Sequence, residues 1–211
     1  SAFIEVAEDS GLIVQLSKWV LAEACRQSCA WRAAGLPPIC MAVNMSAIDF
    51  RQADFVDGME QILAQTGMEP ALLELEITES VLMQNIESTV TSLQRIKALG
   101  VRLAIDDFGT GYSSLSYLRR FPIDVLKIDQ SFIRGLGSDS NDAALVSAII
   151  SLGRSLKLTI IAEGVETAEQ LDFLKARHCE EGQGHYFSKA VEPEVFVRYV
   201  ESLRPSLSTL S

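Results

Sequence analysis

The chain has 211 residues, 48% of them hydrophobic and 22% charged, a composition that fits one folded globular domain and excludes disorder. Its 28 acidic residues outnumber 18 basic ones, and the formal net charge of −10 excludes broad, sequence-independent binding to DNA. A small anionic ligand stays compatible with that charge, because bound metals reverse the local sign.

In chain order, residues 3–34 predict one or two helices broken near Ser10 and Gly11, with Leu12, Leu16, Trp19 and Val20 on one face. Short apolar runs follow at 39–43, 72–77, 101–105, 125–128 and 158–162, with a weaker sixth at 180–188. Helical patterns fill the gaps, notably at 86–99, 143–156 and 169–176, and a last helix is expected over 194–203. Parallel strands need crossovers of this kind, so the alternation implies a parallel or nearly parallel sheet. No apolar run approaches the roughly 20 residues that span a bilayer, and no signal peptide opens the sequence, so a cytoplasmic domain is expected. The four cysteines (Cys25, Cys29, Cys40, Cys179) lack metal-site or redox spacing, and Cys25 and Cys29, four apart on the first helical stretch, read as packing residues consistent with a reducing compartment.

A doubly wound sheet and a (β/α) barrel both fit this alternation. Polar residues decide between them. The first run ends in Asn44, the second holds Glu76, the third ends in Asp106 and Asp107, the fourth holds Lys127, the fifth ends in Glu163, and Gln183 lies in the sixth. A barrel gathers the C-terminal ends of its strands onto one face, whereas an open sheet spreads them along an edge. The barrel is therefore expected, two runs short of eight strands.

Four carboxylates and an amide at one barrel mouth repel one another and lose hydration unless something positive compensates them. Hard oxygen ligands suit Mg²⁺ or Mn²⁺, and no His or Cys competes to build a zinc site. The adjacent Asp106 and Asp107 form a natural bridge between two ions. Two metals about 3.5–4 Å apart are a recurring device for in-line displacement at phosphorus.

The segments Val43-Asn44-Met45-Ser46, Glu74-Leu-Glu-Ile-Thr-Glu79-Ser80, Asp106-Asp-Phe-Gly-Thr-Gly-Tyr-Ser-Ser114, Leu126-Lys-Ile-Asp129, Ala162-Glu-Gly-Val-Glu166 and Glu181-Gly-Gln-Gly184 together resemble the EAL-domain family of cyclic di-GMP phosphodiesterases. Each motif is weak alone; six in order at matching intervals are specific. The resemblance implies a modified, TIM-like (β/α)₈ barrel with one antiparallel strand, and two-metal (Mg²⁺ or Mn²⁺) hydrolysis of cyclic di-GMP to linear pGpG. It implies that Asn44, Glu76 and Asp106 hold a first metal. Asp106 and Asp107 would hold a second, with Glu163 beside it directly or through water. Lys127 resembles the residue that positions or helps deprotonate the attacking water, and it also reads as an ion-pair partner of the acids. Gln183 resembles a polar residue lining the site towards substrate. Glu79 resembles the glutamate that anchors the glycine-containing loop after Asp107. The resemblance further implies a homodimer through that loop, where Tyr112, Leu115, Tyr117 and Leu118 offer apolar area, and fusion to upstream sensory or diguanylate cyclase domains.

Two departures stand out. The family's Glu-Ala-Leu motif, whose glutamate is a ligand of the first metal, and a nearby arginine would both lie just before Ser1. Residues 1–211 therefore read as an EAL domain without its N-terminal strands, impaired if tested alone. Phe187-Ser-Lys-Ala-Val191 also lacks the proline usual after the basic residue. The alternative function is a degenerate EAL domain that binds cyclic di-GMP or a partner protein without catalysis.

Strand parity gives one further expectation. Glu74 shares a face with Glu76, and Arg102 with Asp106, so the two should pair inside the barrel below the metal residues.

Overall fold

The computed structural model describes residues 2–83, 86–111, 118–137 and 140–203. Helices α1 (Ala2–Asp9) and α2 (Ile13–Ala33) open the chain. Then come β1 (Met41–Met45), α3 (Ala47–Phe50), α4 (Phe55–Thr66), β2 (Leu73–Thr78), α5 (Glu79–Leu82), α6 (Ile86–Ala98) and β3 (Arg102–Phe108). The remainder is β4 (Val125–Ile128), α7 (Gln130–Arg134), α8 (Ser140–Ser155), β5 (Thr159–Ala162), α9 (Ala168–Ala176), β6 (Glu181–Gly182) and α10 (Pro193–Ser202).

The six strands form one sheet in sequential order, β1 to β6, and every neighbouring pair is parallel. Sequential parallel order, with helices between β1 and β2, β2 and β3, β4 and β5, and β5 and β6, is barrel winding. A doubly wound sheet would reverse its order at a switch point. The eight strands and the antiparallel member expected from the resemblance are represented, among the described residues, by six parallel strands. β1 starts at Met41, two residues later than its apolar run. Pro37 and Pro38 precede that run and have no backbone N–H to give to a ladder.

β2 shows how the sheet divides its two faces. Leu73, Leu75 and Ile77 are fully buried and belong to the apolar core between sheet and helices. Burying each such side chain contributes about 1.5–3 kcal/mol. Glu74 and Glu76 alternate with them, and both are buried as well. Glu74 is in register with Arg102 of β3, and its Oε2 lies 3.3 Å from Arg102 Nε. Period-two alternation thus places an ion pair below Glu76, as parity predicts.

Two expectations need correction. The packed face of α2 consists of Ile13, Ser17, Leu21, Cys25 and Ser28, while Leu12, Trp19 and Val20 are exposed. Ser17 is drawn inward by a polar contact, since its Oγ donates to Asp49 Oδ2 at 2.8 Å in a buried setting. Leu118 is buried in the core of a single chain, so it offers no apolar area to a partner. Tyr112, Leu115 and Tyr117, named with it, lie outside the described residues.

At the other end of the chain, α10 turns back towards α2. The Phe196 ring lies 4.7 Å from that of Trp31. Among the described residues no helix is long and apolar enough to cross a membrane.

Candidate active site

The site is built from the ends of the strands and centres on Lys127 of β4. This side chain is only 2% exposed, and its ammonium lies 2.6 Å from Glu76 Oε1, 3.2 Å from Asp106 Oδ1 and 2.6 Å from Glu163 Oε1. Strands β2, β3 and β4 and the residue after β5 therefore meet at one point. Asn44 of β1 is in register with Glu76 and is exposed, with no side-chain hydrogen bond among the described residues.

The end of β3 departs from a regular strand. Its pairing with β4 shifts register between Ile105 and Phe108, and Asp107 adopts a left-handed backbone with φ 53°. Aspartate tolerates that conformation better than most residues, and such irregularities re-aim side chains. In a regular strand Asp106 and Asp107 would point to opposite faces. Here one oxygen from each of Asp106, Asp107 and Glu163 lies within 4.8 Å of the others, a spacing that can hold a cation.

Electrostatics fit that role. Burial, opposed in part by Lys127, raises Glu163 to about 7, with Asp106 and Glu76 adding to the rise. Burial, a hydrogen bond to Asp129 and the charge of Asp106 raise Asp107 to about 6. Asp129 moves down despite its own burial, because Ser131 donates to it. Asp107 and Asp129 are hydrogen-bonded to each other and therefore titrate as a pair. Lys127 is displaced upward, since its hydrogen bonds to Glu163 and Glu76 outweigh burial. One ammonium does not neutralise this donor set. A set of hard carboxylate oxygens in excess of one ammonium matches a divalent cation.

Gln183 Nε2 donates to Glu163 Oε1 at 2.5 Å, which puts Gln183 beside the cluster. Its backbone is tied on both sides, with Gln183 N donating to Ala162 O and Val165 N donating to Gln183 O. The next residue, Gly184, passes so close to Val165 that a Cβ would lie 2.3 Å from backbone N and O. Gly184→Ala is therefore expected to lower stability by about 1–3 kcal/mol, the usual cost of overpacking. Urea unfolding measures this, and an unchanged midpoint would refute the close approach.

Glu79 is buried at the start of α5, and its Oε2 accepts from Gly109 N at 3.1 Å. Its Oε1 has no partner among the described residues and lies 2.7 Å from where a Cβ on Gly111 would stand. The carboxylate thus occupies the inside of the turn after Asp107. Asp129, which contacts Asp107, closes the Leu126-Lys-Ile-Asp129 segment but received no role from the sequence. Its position two residues beyond Lys127, on the same face, was the available signal.

A profile of the EAL domain matches residues 1–190, and the chain belongs to that family. It is 47% identical over 192 residues to the bifunctional diguanylate cyclase/cyclic di-GMP phosphodiesterase MucR of Pseudomonas aeruginosa, a match covering 91% of this chain and 28% of MucR. It is 45% identical over 202 residues to the cyclic di-GMP phosphodiesterase NbdA of the same organism, covering 96% of this chain and 26% of NbdA. The chain thus spans little more than a quarter of the length of these relatives. The solved PaMucR phosphodiesterase in complex with c-di-GMP superposes with a TM-score of 0.90 at 47% identity, covering 92% of this chain and 79% of that one. The EAL domain of Mycobacterium smegmatis DcpA gives 0.85 at 39% identity, covering 90% and 86%. Klebsiella pneumoniae BlrP1 in a manganese and cy-diGMP complex gives 0.75 at 28% identity, covering 83% and 44%.

Proposed function

We propose that the protein hydrolyses cyclic di-GMP to linear pGpG with divalent metals. The observation that carries this reading is the pair of overlapping clusters, in which Asp106 and Glu163 belong both to the Lys127 ion-pair centre and to the cation-sized carboxylate group. Asn44, Glu76, Asp106, Asp107 and Glu163 would hold the metals. When bound, these would lower the pKa of water and stabilise charge on the phosphodiester oxygens.

The chain's own residues do the rest. Lys127, fixed by three carboxylates, holds its ammonium at the centre of the site. There it attracts the phosphodiester and donates a hydrogen bond to an attacking water. Gln183, fixed through Glu163, orients the group beside that carboxylate. Glu79 holds the turn that carries Asp107. In the whole protein we place a further ligand of the first metal in the segment preceding Ser1, additional signalling domains beside this one, and a homodimer contact at the loop after Asp107.

The test is chromatographic detection of pGpG from cyclic di-GMP, by the full-length protein with Mn²⁺ or Mg²⁺ and again after EDTA. Loss of product with EDTA and its return with metal is the expected result. Tight binding of cyclic di-GMP without product under any metal would replace this reading with a receptor function.

A further inference from the structure

The turns that lead from helices into strands lie at the opposite ends of the strands from the carboxylates, and they hold an anomaly. Several of these turns place one residue in the left-handed backbone region, where glycine is the ordinary occupant. Gly35 before β1 (φ 87°), Gly67 before β2 (φ 70°) and Gly100 before β3 (φ 92°) follow that rule. The turns before β5 and β6 do not. Lys157 stands there with φ 61° and His178 with φ 59°.

The hydrogen bonding at these sites is that of a glycine turn. Gly35 N donates to Arg32 O, and Leu36 N to Trp31 O. Lys157 N donates likewise to Arg154 O, and Leu158 N to Gly153 O, while His178 N donates to Lys175 O and Cys179 N to Leu174 O. Two adjacent turns thus carry a cation or an imidazole in a conformation that costs a residue with a Cβ stability and glycine almost none.

Both side chains line one groove of about 210 Å³, with Arg154, Leu158, Ile160 and Glu180. Arg154, Lys157 and His178 are all exposed. None of them has a carboxylate within ion-pair distance among the described residues, Glu180 included. Among the described residues, the groove thus gathers three basic side chains without an ion-pair partner, in a chain of net charge −10.

We propose that this groove is a second binding site, for a small phosphate compound held by Arg154, Lys157 and His178. The three groups supply a guanidinium fork, an ammonium and an imidazole, which are complementary donors for phosphate oxygens. The groove is compact, as suits a phosphate or pyrophosphate group rather than an extended acidic peptide. Its position at the N-terminal ends of β5 and β6 separates it from the carboxylate cluster at the other ends of the strands. The inference does not depend on the proposed catalytic activity.

Isothermal titration of the full-length protein with inorganic pyrophosphate, in EDTA, tests it. Lys157→Gly and His178→Gly should each weaken binding about tenfold or more. Both should also raise the melting temperature, since glycine relieves the backbone cost. Arg154→Gln should weaken binding without raising the melting temperature, and Arg198→Gln, on α10, should change neither. Absence of binding by the parent protein overturns the proposal, as does affinity within about twofold of the parent in both glycine variants. A lower melting temperature in both would show that the side chains serve the fold, and overturns it too. Binding of an acidic peptide but not of pyrophosphate would assign the groove to a protein partner instead.

Discussion

Asp106→Asn is expected to reduce turnover of cyclic di-GMP by a factor on the order of 10²–10³, the size seen when one preorganised electrostatic group is removed from an active site. Asp106 is the position where the two clusters overlap. Its Oδ1 lies 3.2 Å from Lys127 Nζ, and one of its oxygens completes the cation-sized group with Asp107 and Glu163. Asparagine keeps the shape and one acceptor but removes the charge that both a metal and the ammonium require. The same argument gives Glu163→Ala a comparable loss, with Gln183 also released from its 2.5 Å hydrogen bond. Initial rates of pGpG formation at saturating Mn²⁺ are the measurement. Wild-type turnover in either variant would remove Asp106 and Glu163 from the proposed metal set.

Lys127→Met is expected to cost about 3–5 kcal/mol of stability in the metal-free protein, the penalty for leaving buried charges without their partner. Three carboxylates now face one ammonium, and the substitution leaves them facing one another. The direction with pH follows from linkage. Glu163 is raised to about 7 in the folded chain, above its ordinary value of 4.5. A carboxyl raised in this way stabilises the fold fully below its unfolded pKa, and that contribution is lost as pH rises towards 7. The metal-free parent should therefore gain stability as pH falls from about 7 to about 4.5, and Lys127→Met should show the larger gain, because the lysine opposes the rise. Added Mn²⁺ should recover part of the loss at neutral pH. Urea titrations across that pH range, with and without metal, test both statements. A variant that is least stable at low pH would refute this account of the cluster.

How much of this was legible beforehand depended on whether local pattern or tertiary contact fixed the feature. The run at 125–128 is β4 to the residue, because Pro122 and Asp124 before it and Asp129 after it bound a short segment rich in β-branched residues. The Glu74–Arg102 pair follows from strand parity alone. The buried face of α2 did not follow, because apolar residues occur on both sides of that helix. A contact from Ser17 to Asp49, 32 positions away, decides its orientation. The irregular end of β3 was equally hidden. Sequence marks Asp106 and Asp107 as candidates, but only pairing with β4 gives Asp107 its left-handed backbone and turns both carboxylates towards Glu163. Asp129, named only as the end of a motif, received no role because it stands just past the end of β4, where it caps α7 by accepting from Ser131 N.

The sequential parallel order of the sheet also has a kinetic consequence. Each strand reaches its neighbour only after an intervening stretch of chain, so residues from Asn44 to Glu163 must be gathered from separate strand ends. Pairings this distant along the chain make loop closure costly and folding slow. A nascent chain that has formed only β1 to β3 holds Asn44, Glu76, Asp106 and Asp107 but neither Lys127 nor Glu163. Its carboxylates then lack both their ammonium and the last donor. Ion capture should accordingly come late, after β4 and β5 have docked, and the ion should act as a latch on the assembled sheet rather than as a seed for it.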